Sequence, residues 1–133
     1  MTISFKDIEK AYKKIKNSII KTPLVTNDHI NNLLNSEIYF KLENLQNTGS
    51  FKLRGATHKI SILPSDIIEN GVVAYSSGNH AQAVAYAAMQ KKISAKIIMP
   101  KNAPKIKIEN TKGYGADVIL YDAFFESREH IGN

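Results

Sequence analysis

Apolar residues at Ile8, Ala11, Tyr12, Ile15 and Ile19 recur at the spacing of one helix face, with lysines between them. Ser4-Phe5-Lys6-Asp7 supplies a capping box at the start of this helix. Thr22-Pro23 is expected to end it, because the residue before proline avoids the α region. Asn27-Asp28 then caps a second, short helix reaching Leu33-Leu34. The stretch Glu37–Leu42 alternates, with Ile38, Phe40 and Leu42 on one face, and predicts a strand. The polar stretch Asn44–Ser50 contains a turn at Thr48-Gly49-Ser50. Ser50 is expected to cap a helix over about Phe51–Ile62. Pro64-Ser65-Asp66 starts another short helix, which Gly71 breaks.

Beyond Gly71 the pattern becomes regular. Val72–Tyr75 is a short apolar run, hence a buried strand, followed by a tight loop at Ser76-Ser77-Gly78. An alanine-rich helix covers Asn79–Gln90. A strand follows at Ala95–Met99, stopped by Pro100, then a helix at Pro104–Tyr114, ended by Gly113 and Gly115. A third strand at Val118–Tyr121 precedes the start of a helix at Glu126–Ile131. Strands alternating with helices define βαβ units, so the fold class is α/β with a parallel sheet and right-handed crossovers. No repeat array and no linker-like segment interrupts it. The last helix lacks a stop signal, and a three-stranded parallel sheet is small for a self-sufficient domain. Both features predict that the chain is part of a larger fold.

Composition narrows the function classes. The chain has 133 residues, of which 43% are hydrophobic, enough for one domain with a buried core. It has no cysteine, which excludes disulfides, thiolate metal sites and a cysteine nucleophile. The longest apolar stretch, around Ala81–Met89, is interrupted by Gln82 and falls short of the ~20 residues a membrane span needs. The N-terminus has no apolar signal region, so the cytoplasm is the expected location. The net charge of +6 raises the question of nucleic-acid binding. The lysines are dispersed, however, over Lys13, Lys14 and Lys16, then Lys91 and Lys92, then Lys101, Lys105 and Lys107. No aromatic residues interleave with them, so solvated helix faces account for the charge. His29, His58, His80 and His130 have no metal-ligand spacing, and no metal site is expected.

Two stretches carry candidate chemistry: Asn47-Thr48-Gly49-Ser50-Phe51-Lys52-Leu53-Arg54-Gly55-Ala56 and Ser76-Ser77-Gly78-Asn79-His80-Ala81-Gln82-Ala83. Lys52 falls in the first turn of a helix, where the dipole disfavours its charged form. Apolar Phe51 and Leu53 are expected to add desolvation in the same direction, making the amine a better nucleophile toward a carbonyl. The alternative is a lysine that extends to solvent. The second stretch follows a buried strand and opens a helix, the position where parallel α/β sheets bind ligands. Gly78 lets a ligand approach the backbone, and the free N–H groups of the helix start favour an anion. Alternatively, Ser76 and Ser77 are helix caps and Gly78 only a turn. Arg54 reads as a structural ion-pair partner; Tyr75 reads as core, and Tyr114 and Tyr121 as structural.

Taken together, Ser50-Phe51-Lys52-Leu53-Arg54-Gly55 resembles the Schiff-base lysine motif of fold type II (tryptophan synthase β-like) pyridoxal-phosphate (PLP) enzymes, in their threonine/serine dehydratase and serine racemase branch. Ser76-Ser77-Gly78-Asn79-His80-Ala81-Gln82 is similar to that branch's asparagine loop. Lys41-Leu42-Glu43-Asn44-Leu45-Gln46, Met99-Pro100, Pro104-Lys105 and Gly113-Tyr114-Gly115-Ala116-Asp117-Val118 fit further landmarks in order. The resemblance implies PLP as cofactor. It implies that Lys52 holds PLP and acts as base at the substrate Cα, that Phe51 packs beside the pyridine ring, and that Asn79 bonds the 3′ oxygen. Ser76, Ser77, Gly78, Asn79 and His80 would bind the amino-acid carboxylate, and Ser77 matches the opposite-face acid/base of the racemases.

The implied reaction is β-elimination from L-threonine or L-serine to a 2-oxo acid and ammonia, with serine racemase or another β-hydroxy amino-acid dehydratase as the alternative. The family's glycine-rich phosphate loop has no counterpart among the seven scattered glycines. The chain therefore reads as the N-terminal part of such an enzyme, with residues 1–45 starting the large domain and 46–133 forming most of the small one. A non-catalytic remnant, or one chain of a split enzyme, is the reading from another class. The expected partners are a small amino-acid substrate, and a homo-oligomer or a complementing C-terminal chain; neither nucleic acid nor membrane is expected.

Overall fold

A computed structural model describes residues 2–132. Helix α1 (Phe5–Ile15) starts at the expected capping box: the Ser4 backbone N–H and hydroxyl donate to the Asp7 carboxylate at 3.0 and 2.7 Å. It stops a full turn before the expected end. Asn17 and Ser18 are poor helix formers, and the Gln46 side chain takes both the N–H and the C=O of Ile20, at 2.8 and 2.9 Å. Those backbone groups are thereby lost to any continuing helix. Strand β1 (Leu24–Thr26) follows, and its pairing was not foreseen: it lies antiparallel to β2 (Tyr39–Lys41), with Val25 opposite Phe40. Between them, α2 (Asp28–Leu34) is capped by Asn27, whose Oδ1 accepts from the Ile30 N–H at 3.0 Å. Leu24, Val25, Tyr39 and Phe40 are all exposed, and of the face expected for the strand at 37–42, Ile38 and Leu42 are half-buried while Phe40 is exposed.

A 3₁₀ turn at Glu43–Leu45 leads to α3 (Lys52–Ser61) and the short α4 (Ser65–Ile68). From there the order is β3 (Val72–Tyr75), α5 (Asn79–Lys91), β4 (Ala95–Pro100), α6 (Lys105–Gly113), β5 (Asp117–Tyr121) and α7 (Arg128–Gly132). These three strands form a parallel sheet in the order β3-β4-β5, with Ala74 beside Ile97 and Ile97 beside Val118. The α/β class with a parallel sheet is thus as the pattern predicted.

The core is built around α5. This helix is enclosed by α3, α6, β3 and β4. Ala81, Ala83 and Ala85 are completely buried, as are Leu53 of α3 and Ile97 and Met99 of β4. The run of alanines is explained by that enclosure, because only small side chains let a helix and a sheet close on it from several sides. No helix among the described residues is long and apolar enough to cross a membrane.

Candidate functional site

Lys52 opens α3, while Ser76–Gly78 joins β3 to α5 and Asn79 and His80 open α5. The packing of α3 against α5 brings the two motifs together. The loop is tied to the sheet by the Ser76 N–H, which donates to the Ile98 carbonyl at 3.1 Å. Within it the Gly78 N–H donates to Ser76 Oγ at 3.3 Å. Gly78 is itself the N-cap of α5, and a Cβ built on it would meet nothing within 4 Å. The start of a 13-residue helix therefore faces open space, with first-turn N–H groups that have no intrahelical acceptor.

The two motifs also sense each other electrostatically. The His80 imidazole is held below its ordinary value, first by partial burial and then by the positive charge of Lys52. A folded-state pKa below the unfolded one means the unfolded chain takes the proton first. This histidine therefore costs stability as pH falls below about 6.5. An NMR titration of the His80 ring is expected to show its pKa rise toward the ordinary value in Lys52→Met. An unchanged titration would mean that the two motifs are not close neighbours.

Phe51 and Lys52 are exposed, with Lys52 Nζ 4.9 Å from the centroid of the Phe51 ring, whereas Leu53 is completely buried. The expected desolvation of the amine by both neighbours is corrected accordingly: the phase of α3 turns Leu53 to the core and leaves its two predecessors on the open side. Ser50 is not the N-cap either. Phe51 holds that position, and Ser50 Oγ is buried without a partner. Thr48 Oγ1 and Gln82 Nε2 share that state, so both motif stretches contain orphaned polar atoms.

The approach to Lys52 is braced from the N-terminal side. Arg54 donates through Nε to Glu43 Oε2 at 2.9 Å and through Nη2 to Oε1 at 2.7 Å, which bears out its reading as an ion-pair partner. The Thr22 hydroxyl donates to the same carboxylate, and Lys41 Nζ donates to the Thr22 carbonyl at 2.6 Å. Gly49 turns the chain toward Phe51 at φ +67°, its N–H on the Gln46 carbonyl at 2.7 Å. A residue that the motif reading missed is Lys107, whose Nζ donates to Asn79 Oδ1 at 2.7 Å. Its signal was positional: it lies in the first turn of the helix following β4, at the same edge of the sheet as the 76–80 loop. A hollow of about 300 Å³ is bordered by Gly55, Ala56, Ala74, His80 and Val84, but Lys52, Ser77 and Asn79 lie outside its lining. Among the described residues no group of three or more His, Asp or Glu could hold a metal ion.

The chain belongs to the pyridoxal-phosphate dependent enzyme family, whose model matches residues 15–133. It is 44% identical over 129 residues to an L-threo-3-hydroxyaspartate ammonia-lyase of Saccharomyces cerevisiae, covering 97% of this chain and 40% of that protein. It is 46% identical over 124 residues to an L-threonine ammonia-lyase of Thermotoga maritima, covering 93% and 31%. The structure of maize serine racemase superposes with a TM-score of 0.93 at 39% identity, covering 99% of this chain and 40% of that one. The fold is accordingly that of fold type II PLP enzymes, and the chain spans about 40% or less of the length of these relatives.

The residues present fit the family's cofactor. Lys52 offers an exposed primary amine able to condense with an aldehyde. Asn79 offers an amide, and the Gly78 loop offers open backbone. The orphaned hydroxyls of Thr48 and Ser50 flank the turn before Lys52.

Proposed function

We propose that this chain carries the cofactor lysine and the substrate loop of a PLP-dependent ammonia-lyase that deaminates L-threonine or L-serine to a 2-oxo acid and ammonia. The observation that carries the proposal is the adjacency of Lys52, at the start of α3, to the Ser76–His80 loop, at the start of α5. Bound PLP supplies an electron sink for charge developing at the substrate Cα. Lys52 Nζ would hold the cofactor and, once free, would take the Cα proton. Phe51 would pack beside the pyridine ring, and Asn79 would donate to its 3′ oxygen. The first-turn N–H groups of α5, with Ser76, Ser77, Gly78, Asn79 and His80, hold and orient the substrate carboxylate. The β-hydroxyl would leave with a proton as water, and the released enamine would take up water to give the 2-oxo acid and ammonia.

Serine racemization is the second reading, favoured by the exposure of Ser77 on the loop; in that reading its hydroxyl would exchange a proton on the face opposite Lys52. The Ser77→Ala variant distinguishes the two, since racemization needs that hydroxyl and elimination does not. Division into a large domain starting at 1–45 and a small one over 46–133 is proposed as well; the two separate sheets, β1-β2 and β3-β4-β5, support it.

The test is borohydride reduction of the chain with PLP, followed by mass spectrometry. One adduct is expected, on Lys52, and none in Lys52→Ala. Comparable adducts on many lysines overturn the proposal. With the glycine-rich loop supplied by another chain, L-threonine is expected to yield 2-oxobutyrate. The 133-residue chain alone is expected to yield little or none.

A further inference from the structure

Helix α6 packs against α5 and contacts it through two polar side chains. Lys107 Nζ donates to Asn79 Oδ1 at 2.7 Å. One turn further along, Asn110 Nδ2 donates to Gln82 Oε1 at 3.2 Å. The backbone at Lys107 is itself held, because its carbonyl accepts from Thr111 Oγ1 at 2.7 Å and Thr111 is completely buried. Lys107 is half-buried, while Asn79 and the bond between them are exposed.

An ammonium group has three donors and no acceptor. Asn79 can meet it only through Oδ1, and the trigonal amide then directs both N–H groups of Nδ2 away from Lys107. We infer that Lys107 is a positioning residue that locks the Asn79 amide so that it offers a donor, never an acceptor, to the 3′ oxygen of PLP. This inference rests on the proposed placement of PLP against Lys52 and Asn79. With the amide reversed, Oδ1 would confront the cofactor oxygen, acceptor against acceptor. Asn79 on an isolated loop has no reason to choose between the two orientations; the charge from α6 makes the choice before any ligand arrives.

The variants that test this are Lys107→Met, which removes the donors, and Lys107→Arg, which keeps a side chain that only donates. Without PLP, the side-chain amide resonances of Asn79 are expected to shift in Lys107→Met and stay close to wild type in Lys107→Arg. With PLP, fluorescence titration is expected to show about ten-fold weaker binding for Lys107→Met, the equivalent of one hydrogen bond, and recovery in Lys107→Arg. The visible absorption of the bound cofactor is expected to move only in Lys107→Met, since a purely structural lysine would not alter it. Should Lys107→Met fail to fold, Lys107→Gln, which can accept as well as donate, carries the same comparison. Unchanged amide resonances and PLP affinity on loss of the donor, or an arginine variant that behaves like the methionine one, overturn the inference. Failure of the wild-type chain to take PLP on Lys52 would instead overturn the proposed function, and the cofactor-free resonances would still decide the Lys107–Asn79 pairing.

Discussion

Gly71→Ala is expected to destabilise the chain by roughly 2–4 kcal/mol and to lower its melting temperature by about 10 °C. Gly71 sits at φ +82°, immediately before β3. Its N–H donates to the Ile68 carbonyl at 3.0 Å, closing α4, and the next N–H, that of Val72, donates to the Ser94 carbonyl at 3.0 Å. The chain thus passes directly from the end of one helix onto the edge of the segment that becomes β4. A Cβ at this point would lie 2.0 Å from Ser94 Oγ and 2.8 Å from the Ser94 carbonyl oxygen. The hydroxyl can rotate away, whereas the carbonyl is fixed by its bond to Val72 and cannot.

Two further substitutions divide this cost. Gly115 has the same φ of +82° but nothing within 4 Å of its Cβ position, so Gly115→Ala pays for the backbone alone, about 1 kcal/mol. Adding Ser94→Ala to Gly71→Ala removes the side-chain clash and leaves the backbone one, so only partial recovery is expected. Chemical denaturation of the four proteins measures all of this. A Gly71→Ala chain no less stable than Gly115→Ala would show that β3 and the 93–94 segment separate easily, and with them the support beneath the 76–80 loop.

The parts of this fold that were legible in the sequence are those enforced by local chemistry. Ser4 and Asp7 close a capping box wherever they start a helix, and Gly71 and Gly115 mark turns because they take positive φ. The βαβ order followed from apolar runs at Val72–Tyr75, Ala95–Met99 and Val118–Tyr121. What escaped was decided at long range. The early end of α1 depends on Gln46, 26 positions from Ile20. The β1-β2 pair depends on a register between Leu24–Thr26 and Tyr39–Lys41 that three exposed residues on each side do not announce. Helix α5 ran one residue past its expected end, because it stops at Lys92 in left-handed backbone, a position where a glycine would have signalled the stop.

The site divides in the same way. Lys52 and the Ser76–His80 loop were found as contiguous motifs, and their nearness is consistent with the packing of α3 on α5. The exposure of Lys52 is not legible from its apolar neighbours in sequence, because helix phase sends Leu53 inward and Phe51 outward. Lys107 was overlooked because its partner is 28 positions away, on another helix. Lys52, Ser77 and Asn79 lie on an open face rather than in a closed cleft, which accords with a chain that spans about 40% of its relatives' length.

Arg54→Met is expected to cost about 2–3 kcal/mol near neutral pH, more than the double change Arg54→Met with Glu43→Gln. The side chains of Arg54 and Glu43 are only 27% and 16% exposed, so removing the guanidinium leaves a largely buried carboxylate with the Thr22 hydroxyl and the more distant charge of Lys41. The neutral amide of the double variant needs no countercharge, and much of the loss should return. The pH dependence makes the assignment specific. In the wild type the hydrogen bond from Arg54 is the largest influence holding the Glu43 carboxyl below its ordinary 4.5, against burial, which pushes it up. A depressed folded-state pKa contributes stability that is fully present above 4.5 and is lost as pH falls through the lower folded value. In Arg54→Met the largest influence holding that carboxyl down is gone, so its protonation costs the variant less than it costs the wild type. The stability gap between wild type and Arg54→Met is therefore expected to narrow as denaturant melts are taken from about pH 6 to about pH 3. A gap independent of pH would assign the cost to lost packing of the arginine stem. Because Arg54 is two residues from Lys52 and joins α3 to the segments at Thr22 and Glu43, PLP capture should follow the same order: weakened in Arg54→Met and partly restored in the double variant.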